Sequence, residues 1–399
     1  MWSKSLFATI IISLLMTLSG GTEEEGGVGG TMRYMPFFFV FCTCLLRHNF
    51  WTGKRKRYMV ATLSLCVITL GVHADMSAKD LFVYLFGIIC TMYISEKHIT
   101  PPEFIYKYFC IILLSVSVVN VARGLPVSWI PNSDMAINIL GYGTKHGTAT
   151  VGYLLFIASL CNIYLKRHIG MSRRRFRKDI FFFGLSFYLV FFSTSRSIFM
   201  CMGGVLLLFL INWKRIRPRT TVTVATMLIV SVYTLENLST YADVLVKNEL
   251  IGQFLHAEDF DRYGVTSGRS WLWTYHLMVF FSNIPFGGGR ESVDFFVGDW
   301  IGALGEEAHA GSESFYTGIL ACYGLIGVIL IILHISLFLR AIKAKNVIGA
   351  CIIFACIYAT VTGVGLVSLY DEYSIMLFLL YFSSFQLTAL YRQFGKKLY

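Results

Sequence analysis

Apolar stretches recur along the chain and are separated by short segments rich in polar and charged residues. Many of them run for about 17–25 residues, the length that a helix needs to cross the hydrocarbon layer of a bilayer. Backbone amides find no partner in lipid, so such stretches form helices unless they close into a β-barrel. Residues 180–192 (IFFFGLSFYLVFF) lack the alternating pattern of a barrel strand. The pattern therefore predicts an all-α polytopic membrane helix bundle.

The spacing of the stretches predicts about twelve transmembrane helices. They divide into an N-terminal transmembrane bundle of about nine helices at 1–236, a large outer loop at 237–312, and C-terminal transmembrane helices at 313–399. The first stretch also fits a cleaved signal peptide, but it lacks an A-x-A site, so we expect it to be retained. The predicted helices lie near residues 5–20, 34–46, 58–74, 81–95, 107–122, 149–165, 180–194, 198–213, 220–236, 314–339, 347–366 and 374–391.

Composition favours the same class of protein. The chain has 56% hydrophobic and 14% charged residues and a mean hydropathy of +0.64, whereas soluble globular domains carry about a quarter charged residues. The ten cysteines show neither a CxxC motif nor metal-type spacing, so they are interpreted as packing residues.

The net charge of +11 comes from basic clusters that fill alternate gaps between the predicted helices. Cytoplasmic loops retain Lys and Arg, so these gaps and both termini are predicted to face the cytoplasm. Most acidic residues fall in the opposite gaps, which favours the same topology. The positive charge therefore indicates orientation and attraction to anionic lipid rather than nucleic-acid binding. The basic clusters lie at residues 4, 47–57, 97–107, 166–178, 214–219, 340–345 and 392–397.

Two outer loops are long enough to hold a site, at about 124–146 and 237–312. A loop as long as the second is uncommon without structure of its own, so we expect a small functional subdomain there. Within it, residues 271–281 (WLWTYHLMVFF) are apolar but too few to span a membrane. They predict a helix at the outer interface or packed on the bundle. Residues 283–289 (NIPFGGG) then predict a turn.

Arg196 and Arg269 are the strongest candidates for binding a phosphate-bearing substrate. Arg196 joins two apolar runs at the predicted outer rim of the membrane, and Arg269 directly precedes the Trp-rich segment. An arginine at an apolar margin needs an anionic partner, either a substrate or a lipid phosphate reached by snorkelling. For Arg269 the alternative is a solvated loop residue. A guanidinium suits diphosphate because it donates two parallel hydrogen bonds.

His309 is the candidate for proton transfer, since it follows Glu306 and Glu307 and precedes Glu313. Histidine exchanges a proton near neutral pH, and a neighbouring carboxylate can orient it. The alternative interpretation is an ordinary surface histidine.

Other titratable residues carry weaker signals. His276 and His256 rank lower than His309, because nothing beside them in the sequence resembles a proton-transfer arrangement. No H-x-x-x-H motif occurs in the outer loops, and the D-x-D triplet at 259–261 stands without a histidine or a second carboxylate cluster, so no metal site is predicted. Glu258, Asp259 and Asp261 come nearest to one and are interpreted as a solvated acidic loop.

Taken in chain order, these segments resemble the O-antigen polymerase and O-antigen ligase superfamily of bacterial inner-membrane glycosyltransferases. The resemblance covers about residues 140–340 together with the overall topology. The order of the motifs and their shared sidedness make it specific. It rests on GTKHGTA at 143–149, STSRSIF at 193–199, TSGRSWLW at 266–273, the PFGGG turn, and His309 before ESFY…YGLIG at 313–327.

The resemblance implies a GT-C-like helix bundle that transfers a glycan from undecaprenyl diphosphate to a sugar hydroxyl at the periplasmic face, without cofactor or metal. Arg196 and Arg269 match the diphosphate-holding arginines, and His309 matches the proposed base or acceptor-site residue. The implied partners are the lipid-linked oligosaccharide donor, a glycan acceptor, membrane lipids and a chain-length regulator. Further substrate contacts are predicted for Lys145, His146, Arg262, Arg290, Glu306, Glu307 and Glu313.

A polymerase, which extends the chain onto the next lipid-linked repeat unit, is favoured within the family. His309 is followed by Ala-Gly-Ser-Glu, where many ligases have Asn. A ligase, which transfers the glycan to lipid A-core, is the alternative. A lipid-linked sugar transporter or flippase is a third hypothesis, but the predicted spans are nearly free of charge and show no internal repeat. A non-catalytic assembly component is the last.

Overall fold

The fold is known from a computed structural model that describes most of the predicted helices and the centre of the large loop. The described residues are 41–73, 75, 77–97, 106–107, 110, 118, 145–168, 176–192, 196–210, 219, 222–227, 230, 269–290, 315–361 and 372–395. The predicted first helix, with its signal-peptide alternative, lies outside them. Most of the predicted helices near 34–46, 107–122 and 220–236 lies outside them as well.

The described part of the chain consists of helices joined by short turns, with no strand in it, as expected for an all-α bundle. A short 3₁₀ helix at His48–Phe50 precedes the first long helix. The α-helices are α1 Gly53–Val72, α2 Ser77–Lys97, α3 Lys145–His168, α4 Arg177–Phe192, α5 Arg196–Leu210, α6 Arg269–Ser282, α7 Phe315–Tyr323, α8 Leu325–Lys343, α9 Val347–Val361 and α10 Glu372–Gly395.

Two of these helices are long and apolar enough to cross a membrane, at Ser77–Glu96 and Leu325–Lys343. Shorter apolar helices lie at Gly152–Tyr164, Cys201–Leu210 and Leu377–Ala389. These lengths and compositions are consistent with a membrane protein. The larger number of about twelve spans remains a prediction.

One predicted span is interrupted in the structure. The apolar run at 314–339 was expected to form a single helix, but it forms α7 and α8 with a break at Gly324. The break occurs because Gly324 has φ = 57°, a left-handed conformation that ends the regular helix and that glycine adopts at little cost. The segment that fills this break belongs to the candidate site.

The first of two compact units comprises Met1–Val60, Val83–Phe199 and Glu372–Tyr399. Its centre is the antiparallel pair α3 and α4, and α10 packs against α3. Gly152 of α3 allows the close approach, because a Cβ there would lie 2.9 Å from Cγ2 of Val190 on α4. A side chain at this position would force the two helices apart.

A buried carboxylate ties the ends of α3 and α4 together. Asp179 is fully buried, and it accepts hydrogen bonds from the Tyr106 hydroxyl at 3.1 Å and from Asn162 Nδ2 at 3.1 Å. Lys166 Nζ pairs with its second oxygen at 2.6 Å. A buried charge is tolerated only when it is paired and hydrogen-bonded in this way.

The second unit comprises Ala61–Phe82 and Met200–Asp371. Within it, α6 packs on α7, while α8 packs on both α7 and α9. Gly204 of α5 faces the ring of Phe354 on α9, and a Cβ on it would lie 3.1 Å from that ring. This unit holds the turn that follows α6, the C-terminal part of α1 and the first residues of α2.

The described ion pairs join residues that the charge pattern assigns to the same side of the membrane. Arg55 bonds Glu96 at 2.8 Å, and both belong to predicted cytoplasmic gaps. The partners of the Asp179 carboxylate belong to such gaps or their edges as well. Arg290 pairs with Asp80, and both belong to predicted outer gaps. The three pairs are consistent with the predicted topology.

Candidate functional site

The turn segment at 283–290, whose last two residues are helical, inserts its backbone into the break between α7 and α8. The Leu325 amide donates to the Pro285 carbonyl at 2.8 Å, and the Gly288 amide donates to the Ala321 carbonyl at 2.8 Å. In an unbroken helix, the Leu325 amide and the Ala321 carbonyl would bond each other, because they are four residues apart. The turn thus gives both of these groups a new partner in place of the helical hydrogen bond between them.

The glycines of two sequence motifs explain why this insertion fits. Gly287 has φ = 80°, and a Cβ on it would lie 2.6 Å from the carbonyl carbon of Cys322. A Cβ on Gly324 would overlap the Pro285 carbonyl oxygen. The PFGGG and YGLIG motifs therefore form one interlocking backbone contact, in which side chains have no room.

Arg290 fixes the end of the turn to the start of α2. Its backbone amide donates to Asp75 Oδ2 at 2.6 Å, and its guanidinium pairs with Asp80 Oδ2 at 2.7 Å. The other oxygen of Asp75 accepts from the Ser77 amide at 2.9 Å, which caps the N-terminus of α2. The predicted glycan-contact residue Arg290 is thus ion-paired, with its side chain 38% exposed. Its predicted substrate contact is untested.

Two further hydrogen bonds complete this anchor. Nε2 of His73 lies 3.1 Å from the Phe286 carbonyl, which makes Nε2 the protonated nitrogen of that ring. The Tyr323 hydroxyl, at the end of α7, donates to the Ser77 carbonyl at 3.0 Å. The turn, α7 and the segment between α1 and α2 therefore form one hydrogen-bonded assembly, which we call the outer anchor.

The outer anchor holds the C-terminal end of α6, and Arg269 is the first residue of that helix. Arg196 is likewise the first residue of α5, and Lys145 is the first residue of α3, followed by His146. The first N–H groups of a helix have no partner within the helix and carry partial positive charge, so they favour anions. Three predicted substrate contacts therefore stand where the backbone itself attracts phosphate.

His276 lies in the middle of α6 and is fully buried. Its Nδ1 is 3.1 Å from the Thr317 hydroxyl on α7. Its Nε2 has no hydrogen-bond partner in the described part of the chain. Burial disfavours the charged form and lowers the pKa of His276 to about 4, so the ring is neutral near pH 7.

Several predicted site residues lie outside the described residues, namely Arg262, Glu306, Glu307, His309 and Glu313. Arg196 belongs to the first compact unit and Arg269 to the second. Among the described residues, no group of three or more His, Cys, Asp or Glu side chains is placed to hold a metal ion.

Sequence reasoning did not single out Asp75, Asp80 and His73, and it ranked His276 below His309. Asp75 and Asp80 flank the start of an apolar run, a position that signals a helix cap but not a partner far along the chain. The signal for His276 was its spacing of seven residues from Arg269, which places both on one face of a helix.

No protein-family model matches this sequence, and no match was found among curated proteins. The resemblance of the motifs to the O-antigen superfamily therefore remains a prediction.

Proposed function

We propose that this protein is an O-antigen-type polysaccharide polymerase, a glycosyltransferase that uses a polyprenyl-diphosphate-linked donor at the periplasmic face of the bacterial inner membrane. It would transfer the glycan from undecaprenyl diphosphate to the next lipid-linked repeat unit. The helical fold and the apolar α2 and α8 support a membrane location.

The observation that carries the proposal is that Arg196 and Arg269 each begin a helix. A diphosphate presents pairs of oxygens that one guanidinium can bind with two parallel hydrogen bonds. A helix N-terminus adds backbone N–H donors that have no partner within the helix. A guanidinium group and a helix N-terminus therefore occur together at both Arg196 and Arg269. Lys145 at the start of α3 repeats the arrangement.

The outer anchor supports the proposal because it fixes the helix that carries Arg269. A diphosphate ligand must be held within a fraction of an ångström of its productive position. The Gly288, Leu325 and Arg290 backbone bonds leave the C-terminal end of α6 little freedom. Positioning of this kind matters most when binding energy is used in the transition state.

The reaction needs charge stabilisation and one base. The acceptor hydroxyl oxygen attacks the anomeric carbon, the bond from that carbon to the diphosphate oxygen breaks, and the electron pair leaves with the diphosphate. Arg196 and Arg269 stabilise the negative charge that develops on it. A base, for which His309 remains the sequence-based candidate, takes the hydroxyl proton.

Deletion of the gene tests the proposal directly. A polymerase mutant still attaches one repeat unit to its lipid A-core, whereas a ligase mutant attaches none and accumulates lipid-linked polymer. Lipopolysaccharide gels of the deletion strain, with and without the plasmid-borne wild-type gene, separate the two. Full-length surface polymer in the deletion strain excludes both activities.

A lipid-linked sugar flippase is the second candidate, because the break between α7 and α8 is a feature of transporter binding sites. In a transporter, the polar groups freed by such a break line a cavity and bind substrate. Here the turn at 283–290 takes up the Ala321 carbonyl and the Leu325 amide, which favours a structural break. Accumulation of single lipid-linked repeats on the cytoplasmic face of the deletion strain would identify a flippase.

A further inference from the structure

A buried imidazole nitrogen without a partner points to a group of the substrate. His276 is fully enclosed, and its Nε2 bonds nothing in the described part of the chain. A buried polar atom left in this state costs about 1–3 kcal/mol. Native proteins keep few such atoms, and those that they keep are concentrated where function uses them.

The hydrogen bond between His276 Nδ1 and Thr317 fits either tautomer of the ring. If Nδ1–H donates to the Thr317 hydroxyl, Nε2 is a bare acceptor. If the Thr317 hydroxyl donates to Nδ1 instead, Nε2–H is a buried donor without an acceptor. Orphaned buried N–H groups are rarer than unused acceptors. We therefore assign the proton to Nδ1 and the lone pair to Nε2.

The two described helices that hold the ring carry little charge. Helix α7, on which α6 packs, carries no ionisable charge, since its sequence is FYTGILACY. On α6 itself the charged residue is Arg269, which lies seven residues away, or roughly 10 Å along the helix axis. Nε2, as a bare acceptor, is complementary to a hydrogen-bond donor.

This inference rests on the proposed function, which supplies three chemical groups to choose among. A diphosphate offers only acceptor oxygens, and a polyprenyl chain offers no polar atom. A sugar offers hydroxyl groups that donate. We propose that His276 is a substrate-binding residue whose Nε2 accepts a hydrogen bond from a hydroxyl group of the lipid-linked glycan.

The packing of α6 also indicates how a hydroxyl reaches a closed position. The C-terminal end of the helix is held by the outer anchor, whereas Val279 and Ala321 form a small apolar contact next to it. Because His276 is fully buried, binding of a hydroxyl at Nε2 requires α6 to part from α7 next to this residue, and the anchor then holds the C-terminal end of α6 in place. A site that closes over its ligand excludes water, so a single hydrogen bond then discriminates strongly.

Three variants of the full-length protein in lipid nanodiscs test the proposal. His276→Asn retains an amide near Nδ1 and removes the acceptor at Nε2. His276→Gln places an amide oxygen near the Nε2 position, and His48→Gln changes an exposed histidine at the predicted opposite side. The probe is the lipid-linked repeat unit extracted from the deletion strain, which serves as both donor and acceptor.

We expect His276→Asn to keep the wild-type unfolding midpoint or raise it, and to raise KM for the repeat unit at least tenfold. His276→Gln should restore KM to within about threefold, and His48→Gln should match wild type. Wild-type KM and kcat in His276→Asn would overturn the inference. The inference would also be overturned if the Asn and Gln variants lost activity equally and both had a lower unfolding midpoint. That result would indicate that His276 contributes only to packing.

The experiment separates the two proposals. If the wild-type protein elongates the repeat unit but His276→Asn does so equally well, the polymerase survives and the role of His276 falls. If wild-type protein in nanodiscs forms no polymer, the polymerase proposal falls, and the glycan contact falls with it.

Discussion

The Arg290 guanidinium lies 2.7 Å from the Asp80 carboxylate, which precedes it by 210 positions in the chain. The carboxylate is nearly fully buried, with 2% of its side chain exposed, so its charge depends on this partner. The pair joins the large loop to the start of a predicted span. It therefore couples the position of Arg290 to the stability of the second compact unit.

Arg290→Ala should destabilise the second compact unit by about 2 kcal/mol. This value lies below that of a fully buried pair because Arg290 is partly exposed to solvent. Unfolding midpoints in detergent measure the loss, and Asp80→Ala with the double variant completes a cycle. A coupling energy near zero would show that the contact between Arg290 and Asp80 does not contribute to stability. Lys343→Ala, an exposed charge removed from α8, is the matched control.

Gly287→Ala should cost at least about 2 kcal/mol, because it adds a positive-φ penalty to a clash with the Cys322 backbone. Gly203→Ala, in helix α5, has open space around the new methyl group. It should raise stability by about 0.5–1 kcal/mol. The two midpoints should move in opposite directions, and a tolerated Gly287→Ala would contradict the inserted turn.

Acidification should weaken the packing of α6 on α7. The pKa of His276 is about 4 in the folded protein and about 6.5 in the unfolded chain. Between these values the unfolded state binds the extra proton, so stability falls as the pH drops from 6.5 to 4, by roughly 3 kcal/mol in all. His276→Asn should lose less stability over this interval. If the unfolding free energies of the wild type and His276→Asn changed equally with pH, His276 would not have the lowered pKa.

Asp179→Ala should cost about 3 kcal/mol or more in the first compact unit. The substitution leaves the Tyr106 hydroxyl, the Asn162 amide and the Lys166 charge without their shared acceptor. Arg177→Ala, an exposed position on the same helix, should change the unfolding midpoint by less than about 0.5 kcal/mol. Equal effects of the two substitutions would remove Asp179 from the packing of α3 on α4.

Arg196→Ala and Arg269→Ala should each abolish polymer formation with membrane abundance unchanged, and His309→Ala should reduce it severely. Lysine at either arginine position should restore little, because an ammonium cannot donate two parallel hydrogen bonds to diphosphate. Complementation of the deletion strain, read on lipopolysaccharide gels, measures the effect. Normal banding in an arginine variant removes that residue from the site, and Arg340→Ala is the control at the predicted cytoplasmic side.

Local sequence signals predicted several of the described helices, because apolar length and turn residues act within a few positions. The prediction of a helix at 271–281 and a turn at 283–289 agrees with α6 and the turn that follows it. The break at Gly324 was not predicted, since the run at 314–339 is apolar throughout and glycine is tolerated inside membrane helices. What decides the break is a turn that begins some forty positions earlier.

Site residues could be predicted only where the residue type and its position next to an apolar run indicate a function. Arg196 and Arg269 stand beside apolar runs, which marks them at once. Asp80 and Asp75 acquire their role from Arg290, and His276 acquires its role from Thr317. Such pairings come from tertiary structure, and no periodicity in one sequence encodes them.

The contact of Pro285 and Gly288 with the break between α7 and α8 also has a consequence for the folding of the chain. Without those two residues, the Ala321 carbonyl and the Leu325 amide would have each other as partners, as in any continuous helix. The turn precedes α7 and α8 in the chain, so the break reaches its final form only after all three segments have been synthesised and brought together.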